Sequence, residues 1–136
     1  MRKFLIATHG NFANGIAQSL TLFLGEKHPF STICAYVDDT SLEDQIDSFM
    51  NTVEQDDQLI ILTDIMGGSV NQKMIRYLQR PNTFLITGFN FPLLLALSLL
   101  PEDVTIEELR HLIEEARDSI YLMNDYKFVT TEEGDE

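Results

Sequence analysis

The side chains best suited to nucleophilic attack near neutral pH are three histidines, His9, His28 and His111, and a single cysteine, Cys34. Cys34 lies in the apolar stretch Phe30 to Val37 and reads as a buried structural thiol. With no second cysteine it cannot form an internal disulfide, which suits a reducing compartment. His28 stands beside Pro29 in a turn, and His111 falls on the polar side of the last helical segment, so both are expected to be solvated. His9 is placed differently. It follows a continuous apolar run, Lys3 to Thr8, and precedes Gly10. Another such run, Leu59 to Asp64, ends in a carboxylate and continues as Ile65-Met66-Gly67-Gly68-Ser69. A carboxylate that accepts the proton of one imidazole nitrogen fixes the tautomer and leaves the other nitrogen with a free lone pair. It also stabilises the positive charge that grows on the ring during attack. Gly67-Gly68-Ser69 passes directly into helical spacing, so backbone N–H groups and a helix start could face an anion there.

Each feature has a plainer reading by itself. A histidine after a strand is more often a structural hydrogen-bonding residue than a nucleophile. Asp64 could simply cap its loop, Gly67-Gly68 could be an ordinary turn, and Ser69 an N-cap contributing about 1 kcal/mol. Their joint placement at the ends of neighbouring strands favours the chemical reading. Other chemistries find no support. No Cys/His/Asp spacing suggests a metal site, and neither a dinucleotide fingerprint nor a P-loop is present. No lysine or arginine stands beside the Gly-Gly-Ser loop to hold a nucleotide's phosphates, which argues against a kinase or ATPase. A single phosphoryl group fits better than a triphosphate, and no cofactor is expected.

Such a site needs a frame that brings residues 9 and 64 together. Four apolar runs of strand length, Lys3–Thr8, Ser31–Val37, Leu59–Asp64 and Thr83–Thr87, are continuous rather than alternating, as in strands buried on both faces of a parallel sheet. Between them lie helical patterns. Phe12, Ile16, Leu20, Phe23 and Leu24 recur at helical spacing and stop at Gly25. Ser41, with Asp44 three places on as an approximate capping box, opens a helix carrying Leu42, Ile46, Phe49, Met50 and Val53. A third helix is expected from about Ser69 to Gln79, before Pro81. Pro92 opens an apolar helix to Leu100, and Thr105 with Glu108 opens a last one carrying Ile106, Leu109, Ile113, Ala116 and Ile120. Tyr126–Thr130 alternates like a short extra strand, and residues 131–136 form an acidic tail expected to be disordered. The expectation is one three-layer α/β domain over residues 1–130. In a 2-1-3-4 strand order, His9 and Asp64 would face one crevice beyond the carboxyl ends of the strands.

The 136 residues fit one domain, and 44% hydrophobic content supports a core. No apolar run approaches a membrane span and no signal-peptide cleavage pattern follows Arg2-Lys3, so a soluble cytoplasmic protein without membrane insertion is expected. A formal charge of −13 repels nucleic acid and anionic lipid and favours partners with a basic face.

Three segments, Phe4-Leu5-Ile6-Ala7-Thr8-His9-Gly10, Ile61 to Ser69, and Thr87-Gly88-Phe89-Asn90-Phe91-Pro92-Leu93-Leu94, carry a resemblance over nearly the whole chain. In them the sequence resembles the IIA component of the mannose/fructose/sorbose family of the bacterial phosphoenolpyruvate-dependent sugar phosphotransferase system. The resemblance implies that His9 takes a phosphoryl group from the histidine-containing phosphocarrier protein HPr. It would pass the group to a separate IIB component and thereby serve the membrane components IIC and IID indirectly, without itself selecting the sugar. It further implies that Asp64 orients the histidine, that Gly10, Gly67, Gly68 and Ser69 bind phosphate, and that Thr8, Asn90, Phe91 and Pro92 form crevice wall or partner contact. Family members form homodimers in which a C-terminal strand joins the partner's sheet, antiparallel, and Tyr126–Thr130 is placed to be that strand. Val70 stands where a proline is common and Met66 where a tryptophan is frequent. A near rival is the phosphocarrier subunit of the phosphotransferase-dependent dihydroxyacetone kinase, whose loop usually reads Met-Gly-Ser. From a different class, a regulatory module could sense phosphorylation without passing the group on.

Overall fold

The computed structural model describes residues 1–101 and 103–127. Strand β1 (Arg2–His9) leads to helix α1 (Phe12–Leu24), then β2 (Phe30–Ala35), α2 (Leu42–Met50) and β3 (Gln58–Thr63). Helix α3 (Ser69–Met74) runs into a 3-10 segment (Ile75–Gln79), followed by β4 (Thr83–Thr87), α4 (Phe91–Ser98) and α5 (Ile106–Arg117). The four strands form one parallel sheet in the order β2-β1-β3-β4.

The continuous apolar runs explain this sheet. In β1, Phe4 to Thr8 are all buried, and in β3 every residue from Gln58 to Thr63 is buried. Alternate side chains serve opposite faces, as a pleat requires. Phe4, Ile6, Ile60 and Leu62 join Ala13 and Leu20 of α1, Leu94 and Leu97 of α4, and Leu109 of α5. Leu5, Ala7, Leu59 and Ile61 meet Ile46 of α2 with Val70 and Met74 of α3. Helices therefore cover both faces, and each fully buried Leu or Ile contributes about 1.5–3 kcal/mol. The helix starts follow their signals. Ser41 Oγ accepts the Asp44 N–H at 3.0 Å, without a return bond, whereas Thr105 and Glu108 form a complete capping box.

Several expectations need correction. Phe12 and Phe23, read as core residues of the first helix, are 50% and 66% exposed. The sheet-facing stripe of α1 runs through Ala13, Ile16, Leu20 and Leu24, and the two phenylalanines flank it. Phe12 stacks on Phe89 and Phe23 meets Phe91 edge-on. The third helix is α-helical only to Met74. It tightens to 3-10 geometry before Arg80, whose guanidinium donates to the carbonyls of Glu54, Asp57 and Pro81. His28 is half-buried, and its Nδ1 accepts the Phe30 N–H at 3.2 Å, so it shapes the entry to β2. His111 is exposed beside Glu115, and Cys34 is buried. Near the C-terminus a 3-10 turn spans Met123–Asp125, and Tyr126 and Lys127 are in no strand. The rest of the expected fifth strand, residues 128–130, and the acidic tail lie outside the described residues.

Candidate functional site

The sheet register sets the site. Ala7 lies opposite Thr63, so the next residues on β1 and β3 emerge side by side, and His9 lies opposite Ala35 of β2. From there α1 departs over one face and α3 over the other, which opens a crevice between the ends of β1 and β3. Two buried contacts position the flanking helices. Thr8 Oγ1 accepts the Ala13 N–H at 2.8 Å at the start of α1, and Thr63 Oγ1 bonds Asn71 Oδ1 at 2.9 Å under α3.

His9 and Asp64 meet in this crevice. The ring Nδ1 lies 3.0 and 3.2 Å from the two carboxylate oxygens, and the His9 backbone N–H donates to Asp64 Oδ2 at 2.9 Å. An ionised carboxylate only accepts, so Nδ1 carries the ring proton and Nε2 keeps its lone pair. Burial pushes the Asp64 carboxyl pKa up. Hydrogen bonds from the His9 backbone and ring, and from its own backbone, outweigh that and hold it below the ordinary value. The Asp64 side chain is 16% exposed and that of His9 38%, so the orienting group is shielded while the ring is reachable. Nε2 faces Ser69 Oγ at 3.3 Å.

The glycine loop closes on the ring. A Cβ on Gly68 would stand 3.0 Å from His9 Cε1 and 2.7 Å from Ile65 Cγ2, so only glycine lets the chain pass here. Gly67 has φ +78°, where a side chain is strained. The loop is braced by Gln72, whose side-chain amide donates to the Gly67 carbonyl at 2.8 Å. Among the described residues the Gly67 and Ser69 N–H groups meet no protein acceptor, while that of Gly68 is engaged by Ile65 O. Because α3 is a six-residue helix, an anion would meet these local N–H groups rather than a long helix dipole. Lys73 lies one turn along α3, and its ammonium pairs with Glu43. The Val70 side chain is buried with Leu5, Leu59, Ile61 and Met74 in the core on the α2/α3 face, and Met66 is 81% exposed.

Other expected site residues have different roles. The Gly10 N–H donates to Ala35 O at 2.9 Å, so that group is not free for phosphate; the left-handed turn at φ +62° is what this glycine supplies. Thr8 is fully buried and supports α1 instead of touching a partner. Asn90 caps α4 by accepting the Leu93 N–H, and its amide donates to Ala116 O at 2.8 Å, so it clamps α4 to α5. Phe91 is half-buried against Phe23, and Pro92 is an exposed first-turn proline. Phe12 and Phe89, stacked at 5.6 Å between ring centres, join the loops after β1 and β4 at this end of the sheet. Reading the sequence also missed Tyr36. Its hydroxyl lies 2.7 Å from Ser69 Oγ and its ring is 5.8 Å from that of His9. Nothing in the local sequence signals it, since tyrosine rarely adopts the left-handed turn that places it.

Among the described residues, no group of three or more His, Cys, Asp or Glu could hold a metal ion. No described helix is long and apolar enough to cross a membrane.

Comparison with known proteins agrees with this fold. The family model of the PTS system fructose IIA component, EIIA-man, matches residues 3–114. A sugar phosphotransferase system permease from Klebsiella pneumoniae is 36% identical with a TM-score of 0.80, over 91% of this chain and 92% of its own. A IIA protein associated with the fucose utilization operon of Streptococcus pneumoniae is 29% identical with a TM-score of 0.73, covering 90% of this chain and 93% of its own. The mannose/sorbose-specific IIA subunit from Enterococcus faecalis, at 16% identity and a TM-score of 0.80 over 95% of this chain and 98% of its own, shares the fold. With four parallel strands in the order 2-1-3-4 and a family match spanning most of its length, the chain belongs to the PTS fructose IIA (EIIA-man) family and is a component of the sugar phosphotransferase system.

Proposed function

We propose that His9 accepts a phosphoryl group on Nε2 from phosphorylated HPr and passes it to a separate IIB component. The observation that carries this reading is the Asp64 carboxylate on Nδ1, which leaves Nε2 as the one ring nitrogen with a lone pair, in an open crevice beside Ser69. In the forward step the Nε2 lone pair attacks phosphorus. The P–N bond of the donor phosphohistidine breaks, and its electron pair leaves with the donor imidazole. The His9 ring keeps its Nδ1 proton and becomes cationic, and Asp64 neutralises that charge. The phosphoryl oxygens then have the Ser69 hydroxyl and the free N–H groups of Gly67 and Ser69 within the loop. Discharge to the IIB component is the same step in reverse with a new acceptor.

The test is labelling with phosphoenolpyruvate, enzyme I and HPr. One acid-labile, base-stable label per chain is expected, absent in His9→Ala and drained by the cognate IIB component. Undiminished labelling of His9→Ala would end the proposal. Retention of the label with every IIB component tried would favour the regulatory reading.

The same reading includes a homodimer. Among the described residues β4 is an open edge strand, and beside it Leu78 and Ile106 are 49% and 43% exposed next to Phe84 and Ile113. An apolar strand edge of this kind suits a strand from a second copy of the chain.

A further inference from the structure

We propose that Tyr36 is a positioning residue for phosphoryl transfer, its phenol hydroxyl holding the Ser69 hydroxyl against His9 Nε2. The inference rests on the carrier role of His9 and adds a residue to it. Tyr36 is the first residue beyond β2, next to Ala35, which lies opposite His9 in the sheet. Its backbone has φ +68°, a left-handed conformation that is uncommon and costly for a bulky side chain. Burial does not account for that cost, because the residue is 58% exposed. What the turn does achieve is to place the phenol hydroxyl 2.7 Å from Ser69 Oγ, which in turn lies 3.3 Å from Nε2.

The protons in this chain of contacts have one consistent arrangement. Nδ1–H donates to the Asp64 carboxylate, so Nε2 of the neutral ring can only accept; Ser69 donates to it, and the remaining lone pairs of Ser69 Oγ accept from Tyr36. The Tyr36 hydroxyl therefore fixes the position of Ser69 Oγ, while the serine O–H is released from Nε2 as the lone pair attacks phosphorus. When Nε2 bonds to phosphorus, its lone pair is no longer available and the serine hydroxyl turns to a phosphoryl oxygen. Tyr36 and Ser69 both keep their protons throughout. A serine already held at the reaction point loses less freedom in the transition state than a free rotor does.

The test compares Tyr36→Phe, Ser69→Ala and the double variant for the rate at which phosphorylated HPr labels His9. Tyr36→Phe should be about 3- to 10-fold slower, the effect of one hydrogen bond. In the Ser69→Ala background the same substitution should change the rate by less than about twofold, because its only route of action has been removed. The Nε2 nitrogen resonance of His9 should shift in Tyr36→Phe, while the melting temperature stays that of the parent. A wild-type rate, an equal slowing in both backgrounds, or a melting temperature lowered by several degrees would each overturn the assignment. Failure of the parent chain to label at His9 would overturn the carrier reading instead, so the two are separable.

Discussion

Asp64 touches His9 twice, through the backbone N–H and through Nδ1, so one carboxylate sets both the position and the tautomer of the ring. Replacing Asp64 by Asn keeps the shape but removes the charge that balances the cationic ring. We expect phosphoryl transfer in Asp64→Asn to slow by roughly 100-fold or more, measured by rapid-quench labelling from phosphorylated HPr. The same contact predicts a pH effect. Because the folded-state pKa of Asp64 is lowered, its contribution to stability is complete above the ordinary aspartate value of about 3.9 and is lost as pH falls through the lowered one. Urea denaturation should therefore show Asp64→Asn less stable than the parent at pH 7, with the gap closing in acid below about pH 4. A gap that stayed constant to pH 2.5 would contradict the assignment. His9 and Asp64 were readable in the sequence because each ends a buried run, and strand ends in a parallel sheet converge. Tyr36 was not, because its role depends on a backbone angle that its residue type does not encode. The local settings of Gly10 and Thr8 were hidden for a related reason: proximity in sequence does not reveal that the Gly10 N–H is bonded to Ala35 or that Thr8 is buried under α1.

The strands were legible from their unbroken hydrophobicity, since only a doubly covered sheet buries both faces of Leu59 to Leu62. Helix starts with oxygen-bearing side chains were legible too, at Ser41 and Thr105. What the pattern could not show is how one turn of helix differs from the next. Ile75 and Leu78 fit a helical repeat, but both are 49% exposed in the 3-10 segment that follows α3. In α1, the small Ala13 takes the sheet-facing place that hydrophobicity alone would give to Phe12. Asn90 shows the same limit. It resembles a site residue, yet its side chain caps α4 and ties it to the end of α5. Asn90→Ala should lower stability by about 1–2 kcal/mol, read from chemical denaturation, because a cap and a cross-helix bond are both lost. Labelling of His9 in the folded variant should stay close to the parent rate; a large loss of rate at unchanged stability would return Asn90 to the crevice.

For the molecule as a whole, all the reactive geometry lies at the carboxyl end of the sheet, while the proposed dimer contact lies along its β4 edge. The two-faced layering places the crevice between β1 and β3, well inside the sheet, with only β2 beyond it on one side and β4 on the other. Docking a protein at His9 therefore need not disturb a copy paired at β4. Sedimentation equilibrium should return twice the chain mass at micromolar concentration, and Leu78→Asp with Ile106→Asp should shift it to the monomer. A parent chain that sediments as a monomer at high micromolar concentration would contradict the homodimer. The layered architecture followed from the sequence pattern, whereas the 2-1-3-4 order entered only as a condition, which the pairings of β1 with β2 and β3 and of β3 with β4 meet. The edge strand's partner did not follow from the pattern, since short alternating segments pair equally well within a chain or between chains.

The account depends most on which atom carries the phosphoryl group, and heteronuclear phosphorus–nitrogen NMR of the protein phosphorylated by enzyme I and HPr measures that directly. It should place phosphorus on Nε2 of His9, with the Nδ1 proton retained and hydrogen-bonded to Asp64. Phosphorus on Nδ1, or on any other residue, would contradict it.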